Sequence, residues 1–170
     1  AALCDSAFGY RLVSDVPVGV FLSGGIDSTF LAAFLKKRLG ADLEHITIGF
    51  TDPVYDETAK ATQVCRDLNL RQTVRTIDAR DAQDALFRFV EIWDEPFGDT
   101  SGIPTSIVCG LARQQVKVAL SADGGDELFC GYESYPVYDA RYRHLQHFPL
   151  RLRRTAAAVL RRLPYRLLIS

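Results

Sequence analysis

The chain has 170 residues, a length that suits one domain of ordinary size. Its apolar share of 48% and charged share of 24% are those of a normal globular composition. No apolar run reaches the roughly 20 residues that span a bilayer, and no signal segment opens the chain. The four cysteines are scattered without a Cys-x-x-Cys pair, which argues against a zinc ribbon and favours a reducing compartment. We therefore expect a cytoplasmic globular protein without a membrane partner.

Charge is distributed unevenly along the chain, although the net charge is only −1. Residues 1–140 carry 12 basic and 21 acidic side chains, whereas residues 141–170 carry eight arginines and no acid. The arginines of this tail are interleaved with apolar residues at helical spacing, namely Leu150, Leu152, Ala156, Val159, Leu160 and Leu163. This pattern favours an amphipathic helix that lies on the acidic body with its basic side exposed. A nucleic-acid site is the less favoured alternative.

Strand and helix signals alternate along the first three quarters of the chain. Short apolar runs predict strands over residues 16–22, 45–50, 71–77 and 116–120. Helical spacing predicts helices over residues 26–39, 56–68, 81–93 and 103–115. Gly40 ends the first of these helices, and the third is expected to turn Leu86, Phe89, Val90 and Trp93 inward.

This alternation predicts an α/β fold with a doubly wound parallel sheet over residues 1–133. From Ser134 onward only helical signals remain, so residues 134–170 are expected to begin a helical region that the chain does not complete. Ligands of such sheets bind at the carboxyl ends of the strands. Two glycine-rich loops, residues 23–28 and 121–127, each follow a strand. We therefore expect both loops to face one crevice.

The first loop, Ser23-Gly24-Gly25-Ile26-Asp27-Ser28, has the features of a phosphate-binding turn. Backbone N–H groups and a helix N-terminus attract an anion, and glycine allows close approach. Asp27 would repel a bare phosphate, so its sensible role is to hold Mg²⁺, although a plain first-turn acid is the simpler alternative. The spacing differs from that of the Gly-x-x-x-x-Gly-Lys-Ser/Thr loop, which serves γ-phosphate chemistry.

Three segments in the same order resemble the synthetase domain of glutamine-hydrolysing asparagine synthetases, within the ATP pyrophosphatase superfamily. They are residues 11–19 with the loop they enter, residues 94–101, and residues 120–129. The resemblance runs from Arg11 to Tyr132 and implies an adenine nucleotide α-hydrolase-like fold. It also implies an ATP-dependent ligase that releases AMP and pyrophosphate.

The resemblance implies a nucleotide site built from both loops and the second strand. Pyrophosphate would lie on the first loop, with the nucleotide against Leu22 and the adenine at the backbone of the second strand. The implied ATP contacts are Leu22, Ser23, Gly24, Gly25, Asp27, Ser28, Ile48, Gly49, Phe50, Ser121, Ala122 and Gly124. Ala122 stands where Gly is familiar in the family.

The second loop contributes further carboxylates by the same resemblance. Asp126 would join Asp27 in holding Mg²⁺, and Asp123 occupies a position linked to acyl-adenylate formation. The best-known members carry Glu at that position, which leaves the role of Asp123 open. The simpler alternative is that Asp123, Asp126 and Glu127 cap a short helix.

The polar segment containing Asp94, Glu95, Asp99, Thr100 and Ser101 would lie near the amino-acid substrate, or would cap the helix at residue 103. The implied reaction joins aspartate to AMP and then displaces AMP with ammonia. It needs no protein nucleophile. His45, His144 and His147 are therefore read as ordinary surface or core residues.

Two family features are missing from the sequence. The glutaminase domain that supplies ammonia is absent, and neither Lys60 nor Lys117 matches the family's catalytic lysine motif. We therefore expect a fragment that is inactive alone. A β-lactam synthetase, a peptide cyclase with another carboxylate substrate, and a non-catalytic nucleotide-binding remnant stay open as alternatives. A homodimer also stays open.

Overall fold

The computed structural model describes residues 2–95, 98–99, 101–132 and 134–161. In chain order the elements are α1 (Ala2–Arg11), β1 (Val18–Phe21), α2 (Ile26–Leu39), β2 (Glu44–Phe50), α3 (Thr58–Leu68), β3 (Arg71–Ile77), α4 (Ala79–Phe87), α5 (Phe89–Trp93), α6 (Gly102–Ala112), β4 (Val118–Leu120), α7 (Gly125–Phe129), α8 (Ser134–Gln146) and α9 (Leu150–Leu160). No helix within these residues is long and apolar enough to cross a membrane.

The four strands form one parallel sheet in the order β3-β2-β1-β4. The pairing of β1 with β2 starts at Gly19↔Glu44, and the pairing of β1 with β4 starts at Val18↔Val118. Parallel neighbours need crossover connections, and helices supply them here. The predicted doubly wound parallel sheet is confirmed.

Helices cover both faces of the sheet because alternate strand residues point in opposite directions. On one face Val20 packs with Leu31 and Leu35 of α2, and Leu22 packs with residues of α2 and α3. On the other face Ile46 packs with the end of α6 and the residues that follow it. A strand buried on both sides must be apolar throughout, which explains the continuous apolar runs in the sequence.

The helix α1 was not predicted, because its contacts lie on another helix rather than on the sheet. The guanidinium of Arg38 in α2 forms a bidentate salt bridge with the Asp5 carboxylate, with nitrogen–oxygen distances of 2.8 and 3.0 Å. This pairing holds the pKa of Asp5 below its usual value. Phe8 packs edge-on against Phe34 with ring centroids 5.1 Å apart.

The predicted single helix over residues 81–93 is wrong, because two helices meet at Arg88. A capping box at Asp78 starts α4 two residues before the predicted point. Arg88 takes φ −86° and ψ −4°, outside the regular helical range, so the residues on its two sides do not share one face. Leu86 and Val90 are accordingly exposed, at 54% and 76%, rather than turned inward.

The chain divides into two compact units, Ala1–Asp123 and Gly124–Ser170. The first unit holds the whole sheet. In the described residues of the second unit all regular structure is helical, and the short helix α7 lies within the predicted glycine-rich loop. In α9 the apolar residues of the predicted stripe, such as Leu150 and Leu152, are about half exposed. Leu163 lies outside the described residues.

Candidate nucleotide site

The candidate site lies at the carboxyl ends of β1 and β4. Connections leave β1 toward β2 on one side, whereas β4 lies on its other side, so the sheet order reverses between these two strands. Open α/β sheets bind ligands at such a switch point. Val20 pairs with Leu120, which brings the start of the second loop beside the first. Residues 23–28 and the first residues of the second loop, 121–123, therefore leave the same edge of the sheet, and the expectation that the whole loop 121–127 faces one crevice with the first stays a prediction.

Two serine side chains brace the first loop from within. The hydroxyl oxygens of Ser23 and Ser28 lie 3.0 Å apart, and the Ser23 N–H donates to the Ser28 hydroxyl at 3.3 Å. The Ser28 hydroxyl donates to the Gly25 carbonyl at 3.2 Å, and the Gly25 N–H donates to the Ser23 hydroxyl at the same distance. Ser28 is buried and Ser23 is exposed. Ser28 therefore acts as an internal support, while Ser23 faces outward.

Gly24 has two independent reasons to be glycine. Its φ of +84° lies in the left-handed region that other residues rarely adopt. A β-carbon at this position would also lie 2.6 Å from the Ala61 nitrogen and 2.8 Å from the Lys60 β-carbon. The first turn of α3 therefore packs directly against the loop.

The N-terminus of α2 is open toward an anion. Its N-cap is Gly25, and no side chain caps the helix. The first backbone bond of the helix runs from the Thr29 N–H to the Gly25 carbonyl at 3.0 Å. The N–H groups of Ile26, Asp27 and Ser28 consequently have no partner within the helix. An uncapped helix start behind a glycine cradle fits the phosphates of a nucleotide.

The Asp27 carboxylate is half-buried beside these donors. In the described part of the chain no hydrogen bond or ion pair engages it. Among those same residues no group of three or more His, Cys, Asp and Glu could hold a metal alone. A single free carboxylate fits Mg²⁺, which is usually held by one or two carboxylates together with substrate phosphates.

The strand β2 extends further than β1 at this edge of the sheet. Its pairing with β1 ends at Phe21↔Ile46, whereas its pairing with β3 continues to Phe50↔Ile77. The last residues of β2, which include Ile48 and Gly49, therefore have no strand beside them on the β1 side. This open edge is where the family resemblance implies adenine recognition.

Asp56 closes the end of β2, a role that the sequence reasoning missed. Its carboxylate accepts hydrogen bonds from the Phe50 N–H at 3.3 Å, the Thr58 N–H at 3.2 Å and the Thr58 hydroxyl at 2.5 Å. The Thr58 bonds hold the pKa of Asp56 below its usual value. A β-carbon at Gly49 would collide with this cluster. The signal in the sequence was an Asp able to bond the backbone N–H two residues on, the pattern of an Asx turn.

The start of the second loop is exposed except at one residue. Ser121 and Asp123 are exposed, whereas Ala122 is half-buried against the core around Val20. The N-cap of α7 is Gly124, with φ +91°, and no side chain caps that helix. Helix capping therefore does not explain Asp123.

Within the second unit, Asp126 and Glu127 lie in the first turn of α7. The Tyr132 hydroxyl donates to Glu127 at 2.6 Å, which raises the pKa of Tyr132 to about 12 and lowers that of Glu127. Asp126 is half-buried, and its carbonyl accepts from the Gly131 N–H at 3.0 Å.

The acidic segment before α6 contains a local turn. Asp99 accepts a hydrogen bond from the Ser101 N–H at 2.8 Å, which lowers the pKa of Asp99. Asp94 adopts φ +54°, and both Asp94 and Glu95 are exposed. Thr100 lies outside the described residues. This turn at Asp99 leads into α6, whose N-cap Ser101 makes no side-chain capping hydrogen bond, so both the substrate role and the capping role of the segment stay predictions.

Comparison with known proteins identifies the family. The asparagine synthase family profile matches residues 1–168. The chain belongs to the asparagine synthase family. It is 40% identical over 134 residues to a Methanocaldococcus jannaschii protein provisionally named asparagine synthetase (glutamine-hydrolysing) 2, covering 78% of this chain and 26% of that protein. It is 37% identical to asparagine synthetase (glutamine-hydrolysing) 1 of Bacillus subtilis, covering 79% of this chain and 21% of that protein.

A solved structure supports the fold independently. The NH₃-dependent NAD synthetase of Campylobacter jejuni superposes with a TM-score of 0.51 at 20% identity, covering 77% of this chain and 58% of that one. This likeness confirms the adenine nucleotide α-hydrolase-like fold of the asparagine synthase domain. The chain spans about a quarter of the length of the curated relatives it matches.

Proposed function

We propose that this chain forms the ATP-cleaving part of a ligase that adenylates the side-chain carboxylate of aspartate and then makes asparagine. One observation carries most weight: the uncapped start of α2, the Gly24 cradle and the unengaged Asp27 carboxylate lie together at the switch point of the sheet. Membership of the asparagine synthase family supports the choice of reaction.

At the phosphate end, the free N–H groups of α2 bind the β- and γ-phosphates of ATP. The exposed Ser23 side chain and the Gly24 backbone complete this cradle, while the Gly25 N–H already donates to the Ser23 hydroxyl, so Gly25 contributes close approach rather than a free donor. Asp27 would hold a magnesium ion, with Asp126 assigned as its second carboxylate on the strength of the family resemblance. A bound Mg²⁺ would supply neutralisation of the charge on the leaving pyrophosphate.

At the base end, adenine lies on the open edge of β2 with Leu22 beside it. The Phe50 N–H is already engaged by Asp56. The backbone of Ile48 is therefore the best placed of the three predicted residues to read the base, while Gly49 leaves room for the Asp56 and Thr58 side chains. Ser121, Ala122 and Gly124 are assigned as further nucleotide contacts on the strength of the family resemblance.

The chemistry is a carboxylate activation. A carboxylate oxygen of aspartate attacks the α-phosphorus, the bond to the β-phosphate oxygen breaks, and pyrophosphate leaves. Ammonia then attacks the acyl carbon, the bond to AMP breaks, and asparagine forms. Asp123 is assigned to the adenylation step by its position in the family pattern. Catalysis here is mainly positioning and charge neutralisation.

The ammonia source would be a glutaminase domain, since the relatives above are named as glutamine-hydrolysing. That domain acts as the partner of this chain in the proposed enzyme. The proposed substrate is a small amino-acid carboxylate, and no nucleic acid enters the proposed reaction.

The test is pyrophosphate release by the protein in its natural full length, with Mg-ATP and a series of carboxylic acids. We expect release that depends on aspartate and is lost in Asp27→Asn. Asp84→Asn, an exposed carboxylate on α4, is the matched control and should keep full activity. Release with another acid would point to a β-lactam synthetase or peptide cyclase instead. ATP binding without release would identify a nucleotide-binding remnant.

A further inference from the structure

The backbone of Leu22 leaves the sheet in an unusual way. Its N–H donates to the Ile46 carbonyl at 3.0 Å, as the ladder between β1 and β2 requires. The next pair in the register would be Leu22↔Thr47, and its second bond would run from the Ile48 N–H to the Leu22 carbonyl. That bond is absent among the described residues. The Thr47 hydroxyl donates to the Leu22 carbonyl instead, at 2.8 Å.

This replacement leaves the Ile48 backbone free. Alternate residues of a strand bond to opposite neighbours. On β2, Ile46 bonds toward β1, whereas Thr51, just past the strand, bonds to Ile77 of β3. Ile48 shares the direction of Ile46, so its N–H and carbonyl point to the side on which β1 has already ended.

Gln72 fixes the orientation of the Thr47 hydroxyl. Its side-chain amide donates to the Thr47 oxygen at 2.9 Å. A hydroxyl that accepts this bond has its own proton available for the Leu22 carbonyl. Thr47 is only 1% exposed, so water does not compete with either bond. These two hydrogen bonds connect β3, through β2, to the end of β1.

We propose that Thr47, oriented by Gln72, is a positioning residue for recognition of the nucleobase. By satisfying the Leu22 carbonyl it keeps the Ile48 N–H available to donate to a ring nitrogen of adenine, while the Ile48 carbonyl accepts from the amino group. This inference rests on the proposed function, because it requires an adenine nucleotide at this edge. A 6-oxo purine reverses the donor and acceptor pattern and would not be read in this way.

The test compares Thr47→Val with two controls in titrations of the full chain. Thr47→Ser keeps the side-chain hydroxyl. Thr73→Val removes another hydrogen-bonded hydroxyl from the same sheet, one that donates to Glu44 at the start of β2. The ligands are the magnesium complexes of ATP, ITP and inorganic tripolyphosphate. Tripolyphosphate has no base and reports the phosphate loop alone.

We expect Thr47→Val to weaken ATP binding about three- to tenfold, as for one lost hydrogen bond, because the Ile48 N–H closes onto the Leu22 carbonyl. Binding of ITP and tripolyphosphate should stay within about twofold of the wild type by the same reasoning. Both controls should match the wild type for all three ligands. An equal loss for all three ligands, or no loss for ATP, would overturn the proposal.

Amide hydrogen exchange in the wild type gives a second test that needs no variant. In the free chain the Ile48 amide should exchange faster than the Gly49 amide, which points toward β3. Mg-ATP should protect the Ile48 amide, and tripolyphosphate should not. An Ile48 amide already protected without nucleotide would refute the inference. A wild type that binds neither ligand would instead refute the proposed function, so the two failures are distinguishable.

Discussion

Replacing Gly24 by alanine separates two physical requirements of the phosphate loop. The first is the left-handed backbone, with φ +84°, and the second is the close approach of α3. Gly40 offers a matched control. Its φ is +64°, yet a β-carbon there would meet nothing within 4 Å. Gly40→Ala therefore carries the backbone strain without the collision.

The expected magnitudes follow from these two terms. The left-handed conformation costs an alanine about 1–2 kcal/mol, and both variants should lose that much stability. A β-carbon at Gly24 adds contacts of 2.6 Å to the Ala61 nitrogen and 2.8 Å to the Lys60 β-carbon. Overpacking of this kind costs a further ~1–3 kcal/mol. Gly24→Ala should thus lose about 2–5 kcal/mol in total.

The assay is urea unfolding of the full chain, followed by nucleotide titration of whatever remains folded. Gly24→Ala should bind Mg-ATP at least about tenfold more weakly, because relief of the collision moves the cradle, and tenfold corresponds to ~1.4 kcal/mol. Gly40→Ala should bind like the wild type. Equal stability of the two variants together with unchanged binding by Gly24→Ala would refute the packing reasoning.

Three further outcomes test other parts of the fold. Burial holds the pKa of His45 below its ordinary 6.5, so its neutral form stabilises the fold above pH 6.5 and this stability is lost as pH falls. The stability advantage of wild type over His45→Gln should therefore shrink below pH 6.5 in urea titrations, and a constant difference would contradict it. Burial raises the pKa of the Cys65 thiol to about 11. At pH 8 a thiol reagent should therefore label Cys65 only after the chain unfolds. Rapid labelling of the native chain would contradict this. Leu35→Ala should lower the free energy of unfolding by ~2–5 kcal/mol, because Leu35 is buried, and Leu86→Ala should lower it by under about 1 kcal/mol, because Leu86 is exposed. Equal losses for the two variants would show the assigned core to be wrong.

Elements set by local signals were predictable from the sequence. The break at Gly24 and Gly25 ends a strand and admits a helix, and Gly40 stops that helix in the left-handed conformation. The strand β3 has the predicted bounds of Arg71–Ile77. Each of these features depends on residues close to one another in the chain, so periodicity and turn chemistry suffice to find them.

Features that depend on distant partners were not predictable. The helix α1 is held by contacts from Asp5 and Phe8 to residues of α2 more than 20 positions away. The hydroxyl of Thr47 bonds a carbonyl 25 residues distant, and in sequence it looks like any β-branched residue of a buried strand. The roles assigned to Asp27, Asp123 and Asp126 stay predictions, because a carboxylate's function depends on the ligand beside it.

The most direct test of the account is exchange of labelled pyrophosphate into ATP by the protein in its natural full length. The mixture would contain Mg-ATP, labelled pyrophosphate and aspartate. Label is expected to enter ATP only when aspartate is present, since the adenylate forms reversibly with release of pyrophosphate. Label that stays in pyrophosphate while ADP and inorganic phosphate accumulate would contradict cleavage at the α-phosphate.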